Sequence, residues 1–192
     1  MTTAATRHYT GLILAGGRGS RAGGADKGLL PFQGRAMIEY SIEALSPFCH
    51  PIFINCNRNH TRYAQYGLPL ISDPDDSFPG PLRALVQLLP SLPAGDLITL
   101  PCDTPGVHAE HIRRLVDAAR QAPGSWVYAT AGGRDHPLHA LLPAALIPKL
   151  IEWVESTGEA RLMRALDHFP NVRVELDDAL ELNLNRPDPE KK

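Results

Sequence analysis

Residues 14–28 read LAGGRGSRAGGADKG and follow directly on an apolar run that begins at Thr10. Glycine lets amide N–H groups approach an anion with no Cβ in the way, and Arg18, Arg21 and Lys27 outnumber the single acid, Asp26. Such a loop suits phosphate. Further along, "PCDTP" at 101–105 sets Asp103 just beyond the apolar stretch "LITL". A hard carboxylate there can hold Mg²⁺ while water completes the metal's shell. Asn55 and Asp73 close two other apolar runs, and their side chains carry hydrogen-bond acceptors. Each of these residues also has a plainer reading. Lys27 can pair with its neighbour Asp26, Asp103 can cap a helix that follows, and Asn55 and Asp73 can simply close turns.

The elements that would position these groups are legible as an alternation. Short apolar runs at Thr10 to Ala15, Pro51 to Cys56, Pro69 to Ser72, Leu97 to Leu100 and Trp126 to Ala129 are bounded by glycine, proline or aspartate and predict strands. Between them, Met37, Ile38, Ile42 and Leu45 share one helical face, and Leu82 to Leu89 and Ile112 to Ala119 repeat that spacing. The runs are nearly continuous in apolar residues, as in strands covered on both sides, which predicts a mostly parallel central sheet with helices on both faces. In such an open α/β sheet ligands sit beyond the carboxyl ends of the strands, where residues 16–28, Asn55, Asp73 and Asp103 all fall. Later, "RDHPLHALLP" (134–143) and "VRVEL" (172–176) read as further strands, and "ALIPKLIEWVES" and "EARLMRALDHF" as helices. Trp126 and Trp153 are expected in the core or on a helix face. The tail from Arg186 to Lys192, with two prolines and mostly charged residues, is expected to be flexible.

Composition narrows the function. A chain of 192 residues, 43% apolar and 21% charged, fits one domain, and a net charge of −2 leaves no general basic face for nucleic acid. Cys49, Cys56 and Cys102 form no CxxC pair, so neither a disulfide framework nor a thiolate zinc site is expected, and a reducing cytoplasm fits. The start, MTTAATRHYT, lacks the apolar core of a signal peptide, and no run reaches the roughly 18 apolar residues of a membrane helix, so no membrane association is expected. His108 and His111 are one helical turn apart and His136 and His139 share a spacing of three, but neither makes HExxH and no further ligands complete a zinc site.

Three phosphate-binding patterns compete for the opening loop. Gly17, Gly19 and Ala22 satisfy the dinucleotide fingerprint literally, but the loop runs on to Lys27 and the second strand ends in Asn55-Cys56-Asn57 rather than in an acid. A Walker loop needs Ser or Thr after its lysine, where Gly28 stands. The long glycine-rich loop of nucleotidyltransferases, L-A-G-G-x-x-S-R-x-G-x-D-K, is followed from Leu14 to Lys27 with small departures.

Together with "INCNR" (54–58), "ISD" (71–73), "PGPL" (79–82), "PCDTP", "RDHPLHALL" (134–142), "GEARL" (158–162) and "LNLN" (182–185), the chain resembles the molybdenum cofactor guanylyltransferases over roughly residues 10–185. It departs from them at Ala22, where methionine is usual, and at Arg186, where threonine and a helix usually follow. The resemblance implies a Rossmann-like three-layer nucleotidyltransferase fold in a single domain. Residues 8–130 would mainly bind nucleotide, residues 131–185 would mainly bind acceptor, and 186–192 would be the tail. It implies Mg²⁺-dependent transfer of GMP from GTP to molybdopterin-bound molybdenum cofactor with release of pyrophosphate, and cofactor delivery proteins as further partners. Residue by residue, it implies nucleotide contacts from Leu14, Ala15, Gly16, Gly17, Lys27, Asn55, Asp73, Gly80 and Asp103, with Asp103 the metal ligand and Lys27, Asp103 and Arg21 catalytic. Arg134, Asp135, His136, Arg161, Asn183 and Asn185 would meet the acceptor. The residues alone do not decide guanine over cytosine. A cytidylyltransferase for the same cofactor, a sugar-phosphate nucleotidyltransferase and a nucleotide-binding regulator without turnover are the alternatives.

Overall fold

The computed structural model describes residues 9–17, 26–74, 80–176 and 180. Arg18, Arg21, Asn183, Asn185 and the tail from Arg186 lie outside the described residues. The chain runs β1 (Tyr9–Leu14), β2 (Pro31–Phe32), β3 (Arg35–Ala36), α1 (Met37–Leu45), β4 (Cys49–Asn55), α2 (His60–Tyr63), β5 (Leu70–Ile71), α3 (Pro81–Leu88) and β6 (Leu97–Pro101). It continues through α4 (Ala109–Gln121), β7 (Trp126–Ala131), β8 (Arg134–Leu142), α5 (Ile147–Thr157), α6 (Leu162–His168) and β9 (Asn171–Glu175).

Seven strands form one sheet in the order β5-β4-β1-β6-β8-β7-β9, and β2 with β3 makes a separate small hairpin. β1 pairs in parallel with both β4 and β6, and β9 with β7, whereas β8 runs antiparallel to β6 and β7. The sheet is therefore mostly parallel with one reversed strand. After β1 the chain builds outward on one side through β4 and β5, then crosses back to place β6 on the other side of β1. That reversal opens a crevice beyond the carboxyl ends of β1, β4 and β6.

Although the strands are apolar throughout, their side chains still divide between two layers. Ile13, Ile54 and Ile98 join Ile38, Leu45, Ile112 and Leu115 of α1 and α4 on one face. Leu12, Leu97 and Tyr128 join Leu82, Leu85, Leu150 and Leu166 of α3, α5 and α6 on the other. Trp126 is buried in that second layer, and Trp153 on α5 stacks on His168 with ring centroids 4.9 Å apart. The predicted strands and helices all form, with α4 extending beyond the periodic stretch 112–119 at both ends. The hairpin at 31–36 and the single turn of α2 were not expected, since elements of two to four residues leave no periodic trace. Among the described residues no helix is long and apolar enough to cross a membrane.

Candidate active site

Three strand ends converge on a cavity of about 330 Å³. Leu14 ends β1, with Gly16 and Gly17 just beyond it, Asn55 ends β4 and Asp73 lies just beyond β5. The floor is apolar, made by Ala84, Leu85 and Leu88 of α3, while Pro101 and Leu138 close the side. Gly80 begins α3 at φ +98°, a backbone that favours glycine, and Pro81 occupies the first helical turn, where its missing N–H costs nothing.

One polar network orders the cavity's wall. Asn55 Nδ2 donates to Asp73 Oδ1 at 2.9 Å, and Asn57 Nδ2 donates to Asp73 Oδ2 at 2.7 Å and to the Gly16 carbonyl at 3.0 Å. Asn57 Oδ1 accepts from the Asp73 backbone N–H at 2.9 Å. The Ala15 N–H, in turn, donates to the Asn55 carbonyl at 2.9 Å, so the start of the glycine loop is laced to the end of β4. Gly16 is needed here because a Cβ would stand 2.6 Å from Asn55 Oδ1. Asn55 and Asp73 thus do more than close turns, since they bind each other. Asn57, which the sequence reading had not singled out as a site residue, is the hub. The signal for it was its position two residues after Asn55 in "INCNR", which returns it to the same side of the chain.

Just outside this cavity, two residues beyond Pro101, Asp103 faces Lys27. Lys27 Nζ lies 3.0 Å from Asp103 Oδ2, both side chains about one quarter exposed. Lys27 thus pairs with Asp103 across the crevice, and the N-cap of α4 is His108, not Asp103. The turn that carries Asp103 is fastened from below. Fully buried Ser41 of α1 donates to the Pro101 carbonyl at 3.0 Å, and Thr104 Oγ1 donates to the same oxygen at 3.3 Å. His139 Nε2 lies 3.0 Å from Thr104 Oγ1. Burial, with a smaller push from His136, lowers the His139 pKa to about 3, so the imidazole is a neutral structural partner of that hydroxyl. Burial also raises the Cys102 thiol well above its ordinary range, which makes it a poor nucleophile despite its place beside Asp103.

Because β8 is reversed, its first residues lie at the same end of the sheet as the crevice. Arg134 is exposed there, and Asp135 is held by Arg173, whose Nη2 lies 3.2 Å from Asp135 Oδ2. His136 packs edge-on against His139 with centroids 5.6 Å apart, and burial lowers its pKa. Arg161 follows Ala160, which packs against Gly80, and forms a two-pronged pair with Glu159 at 3.0 Å on each arm. The structure therefore gathers Leu14, Gly16, Gly17, Asn55, Asp73 and Gly80 around the cavity, with Ala15 bonded to the Asn55 carbonyl behind them, and pairs Lys27 with Asp103. Arg161 is paired with Glu159.

A glycine loop opening on the sheet's switch point, with one lysine and one carboxylate facing each other across it, defines a nucleotidyltransferase of the three-layer α/β class. The comparisons agree. A nucleotidyl transferase from Methanothermobacter thermautotroptrophicus superimposes with a TM-score of 0.71 at 19% identity, covering 93% of this chain and 92% of that one. Molybdopterin-guanine dinucleotide biosynthesis protein A from Archaeoglobus fulgidus superimposes with a TM-score of 0.68 at 21% identity, covering 86% and 83%. The chain belongs to the MobA-like NTP transferase family, whose domain matches residues 11–170. A molybdenum cofactor guanylyltransferase of Pseudomonas syringae pv. syringae is 39% identical over 178 residues, covering 92% of this chain and 88% of its own.

Proposed function

We propose that this protein transfers GMP from GTP to molybdopterin-bound molybdenum cofactor, releasing pyrophosphate, with Mg²⁺ as the assisting ion. The observation that carries the reading is the Lys27–Asp103 pair at 3.0 Å beside a cavity walled by Asn55 and Asp73. Asn55 and Asn57 spend amide N–H groups on Asp73 and Gly16, which leaves an acceptor-rich wall. That wall suits guanine, whose N1–H and exocyclic amine are both donors. The relatives' names support the same base and the same acceptor.

The donor set fits magnesium. Asp103 is a lone, partly exposed hard carboxylate, and no group of three metal-ligating side chains occurs among the described residues. That suits an ion that keeps its waters and phosphate ligands, not one that needs an all-protein cage. When bound by Asp103, Mg²⁺ would neutralise triphosphate charge.

The chain's own groups do the rest. The Leu14–Gly17 backbone cradles the triphosphate, and the Lys27 ammonium offsets charge that grows as pyrophosphate leaves. The acceptor's phosphate monoester, with a second pKa near 6, is already largely dianionic at neutral pH, so no strong general base is required. Residues 8–130 serve the nucleotide. Residues 131–185, with Arg134, Asp135 and His136 at the crevice end of β8, serve the acceptor, and product passes to cofactor delivery proteins. Three buried free thiols suit the reducing cytoplasm as the place of reaction.

Incubation with Mg²⁺, molybdenum cofactor and each of GTP, CTP and ATP in turn tests this. Pyrophosphate release with GTP alone is expected. Release with CTP alone, or nucleotide binding with no release, overturns it.

A further inference from the structure

Asp26 stands immediately before Lys27, and its carboxylate is almost wholly buried, with 6% of the side chain exposed. Burying a carboxylate is costly unless donors surround it. Here Tyr63 Oη donates to Oδ1 at 2.5 Å, Asn59 Nδ2 donates to Oδ2 at 2.9 Å, and Arg58 Nε lies 3.8 Å from Oδ2. The nearer use of this aspartate would be to cap the short 3₁₀ turn Lys27–Leu29, at whose N-cap it sits, yet its side chain makes no cap bond. It is committed instead to a segment more than thirty residues away, around α2.

That segment is built to receive it. Tyr63 is fully buried, and burial together with the bond to Asp26 raises the phenol's pKa far above its ordinary value, keeping it a donor. Asn59 adopts a left-handed backbone, φ 56° and ψ 29°, which asparagine tolerates better than most residues. The same tyrosine also bears on the chain after Lys27, since a Cβ at Gly28 would stand 2.7 Å from Tyr63 Oη and 3.1 Å from Cys102 Sγ. One hydroxyl therefore bonds Asp26 and occupies the space where a side chain at residue 28 would stand, on either side of Lys27 in the chain, and Cys102 there is the neighbour of Asp103.

We infer that Asp26, Tyr63 and Asn59 form a clamp that sets where the Lys27 ammonium stands over the crevice, making Asp26, Tyr63 and Asn59 positioning residues. The kinetic part of this inference rests on the proposed GMP transfer. Lysine reaches its target on four flexible carbons, so the placement of its backbone decides whether the charge meets the leaving group. Removing the clamp leaves substrate binding largely intact and loosens the ammonium, which lowers kcat more than it raises KM.

Two readouts test this on the full chain. The first is acylation of Lys27 by an amine-reactive ester in the absence of nucleotide, quantified by peptide mass against exposed Lys149. Tyr63→Phe and Asp26→Asn should raise the Lys27-to-Lys149 ratio by about threefold, the scale expected from loosening a partly exposed ion pair. Asn59→Gly removes the amide at an exposed site while keeping the left-handed backbone, and serves should Tyr63→Phe fail to fold. The second readout is GTP-dependent pyrophosphate release, where kcat should fall roughly 10- to 100-fold with KM within about twofold. The double substitution Asp26→Asn with Asn59→Asp exchanges donor and acceptor at unchanged charge and should restore both values towards those of the parent. An unchanged labelling ratio in Tyr63→Phe and Asn59→Gly, or a double variant as impaired as Asp26→Asn alone, overturns the clamp. If the parent itself releases no pyrophosphate, the functional reading fails while the labelling ratio still decides the clamp.

Discussion

Alanine at position 16 tests whether the wall of the cavity is the rigid unit described above. Gly16 has no left-handed backbone requirement, so the substitution acts through space alone: its Cβ would stand 2.6 Å from Asn55 Oδ1 and 3.0 Å from Asn57 Nδ2. Asn55 is 4% exposed and cannot swing into solvent, so it must surrender its bond to Asp73. A hydrogen bond to a charged acceptor is worth about 1.5–3 kcal/mol, against which alanine returns about 0.4–1 kcal/mol by restricting the unfolded chain. The net loss is about 1–2 kcal/mol, or roughly 2–8 °C in Tm for a domain of this size. On the proposed function, in which Asp73 meets the base, GTP affinity should fall about 5- to 30-fold. Calorimetric melting and titration with GTP read both effects. Gly17→Ala is the matched control for stability: nothing lies within 4 Å of its Cβ, so its Tm should equal or slightly exceed the parent's. A Gly16→Ala protein that melts with the parent and binds GTP equally well would refute the argument that Asn55, Asn57 and Asp73 act as one unit.

Asp103→Ala should abolish pyrophosphate release, a loss of at least about 10²-fold, while costing under about 1 kcal/mol of stability because the Lys27 pair is partly exposed; an unchanged rate would mean the metal is held elsewhere. Gly80→Ala forces a side chain into φ +98° and within 3.1 Å of the Ala160 carbonyl, and should destabilise by about 1–3 kcal/mol in urea unfolding; equal midpoints would refute the strain. His139 gives a pH signature. Its folded pKa of about 3 lies below the ordinary 6.5, so the unfolded chain binds the proton first, and stability present above pH 6.5 is lost as pH falls towards 3. Between pH 7 and pH 5 that loss is about 2 kcal/mol, and His139→Gln should remove this part of the slope; parallel slopes in parent and variant would show that the histidine is not buried neutral.

Much of the nucleotide half could be read directly from the chain. The strand runs, the helical faces of α1, α3 and α4, the loop from Leu14 to Lys27, and the identities of Asn55, Asp73 and Asp103 are all matters of residue type and short spacing, which periodicity and turn chemistry report. What the chain could not reveal were the partnerships between distant segments. Whether Lys27 pairs with the adjacent Asp26 or with Asp103, 76 residues on, is undecidable from spacing, because both arrangements satisfy the same charges. The direction of β8, by contrast, had a local signal: Gly132 and Gly133 alone separate β7 from β8, and a two-residue connection permits only an antiparallel pair. What packing added is that β8 also lies beside β6, which brings Arg134, Asp135 and His136 to the crevice end of the sheet. The sequence by itself determined which groups were present and which ends of which strands would carry them. Tertiary packing alone decided which of them meet, because a buried carboxylate such as Asp26 or a shared acceptor such as Asp73 takes its partners from whichever segments the sheet order brings alongside.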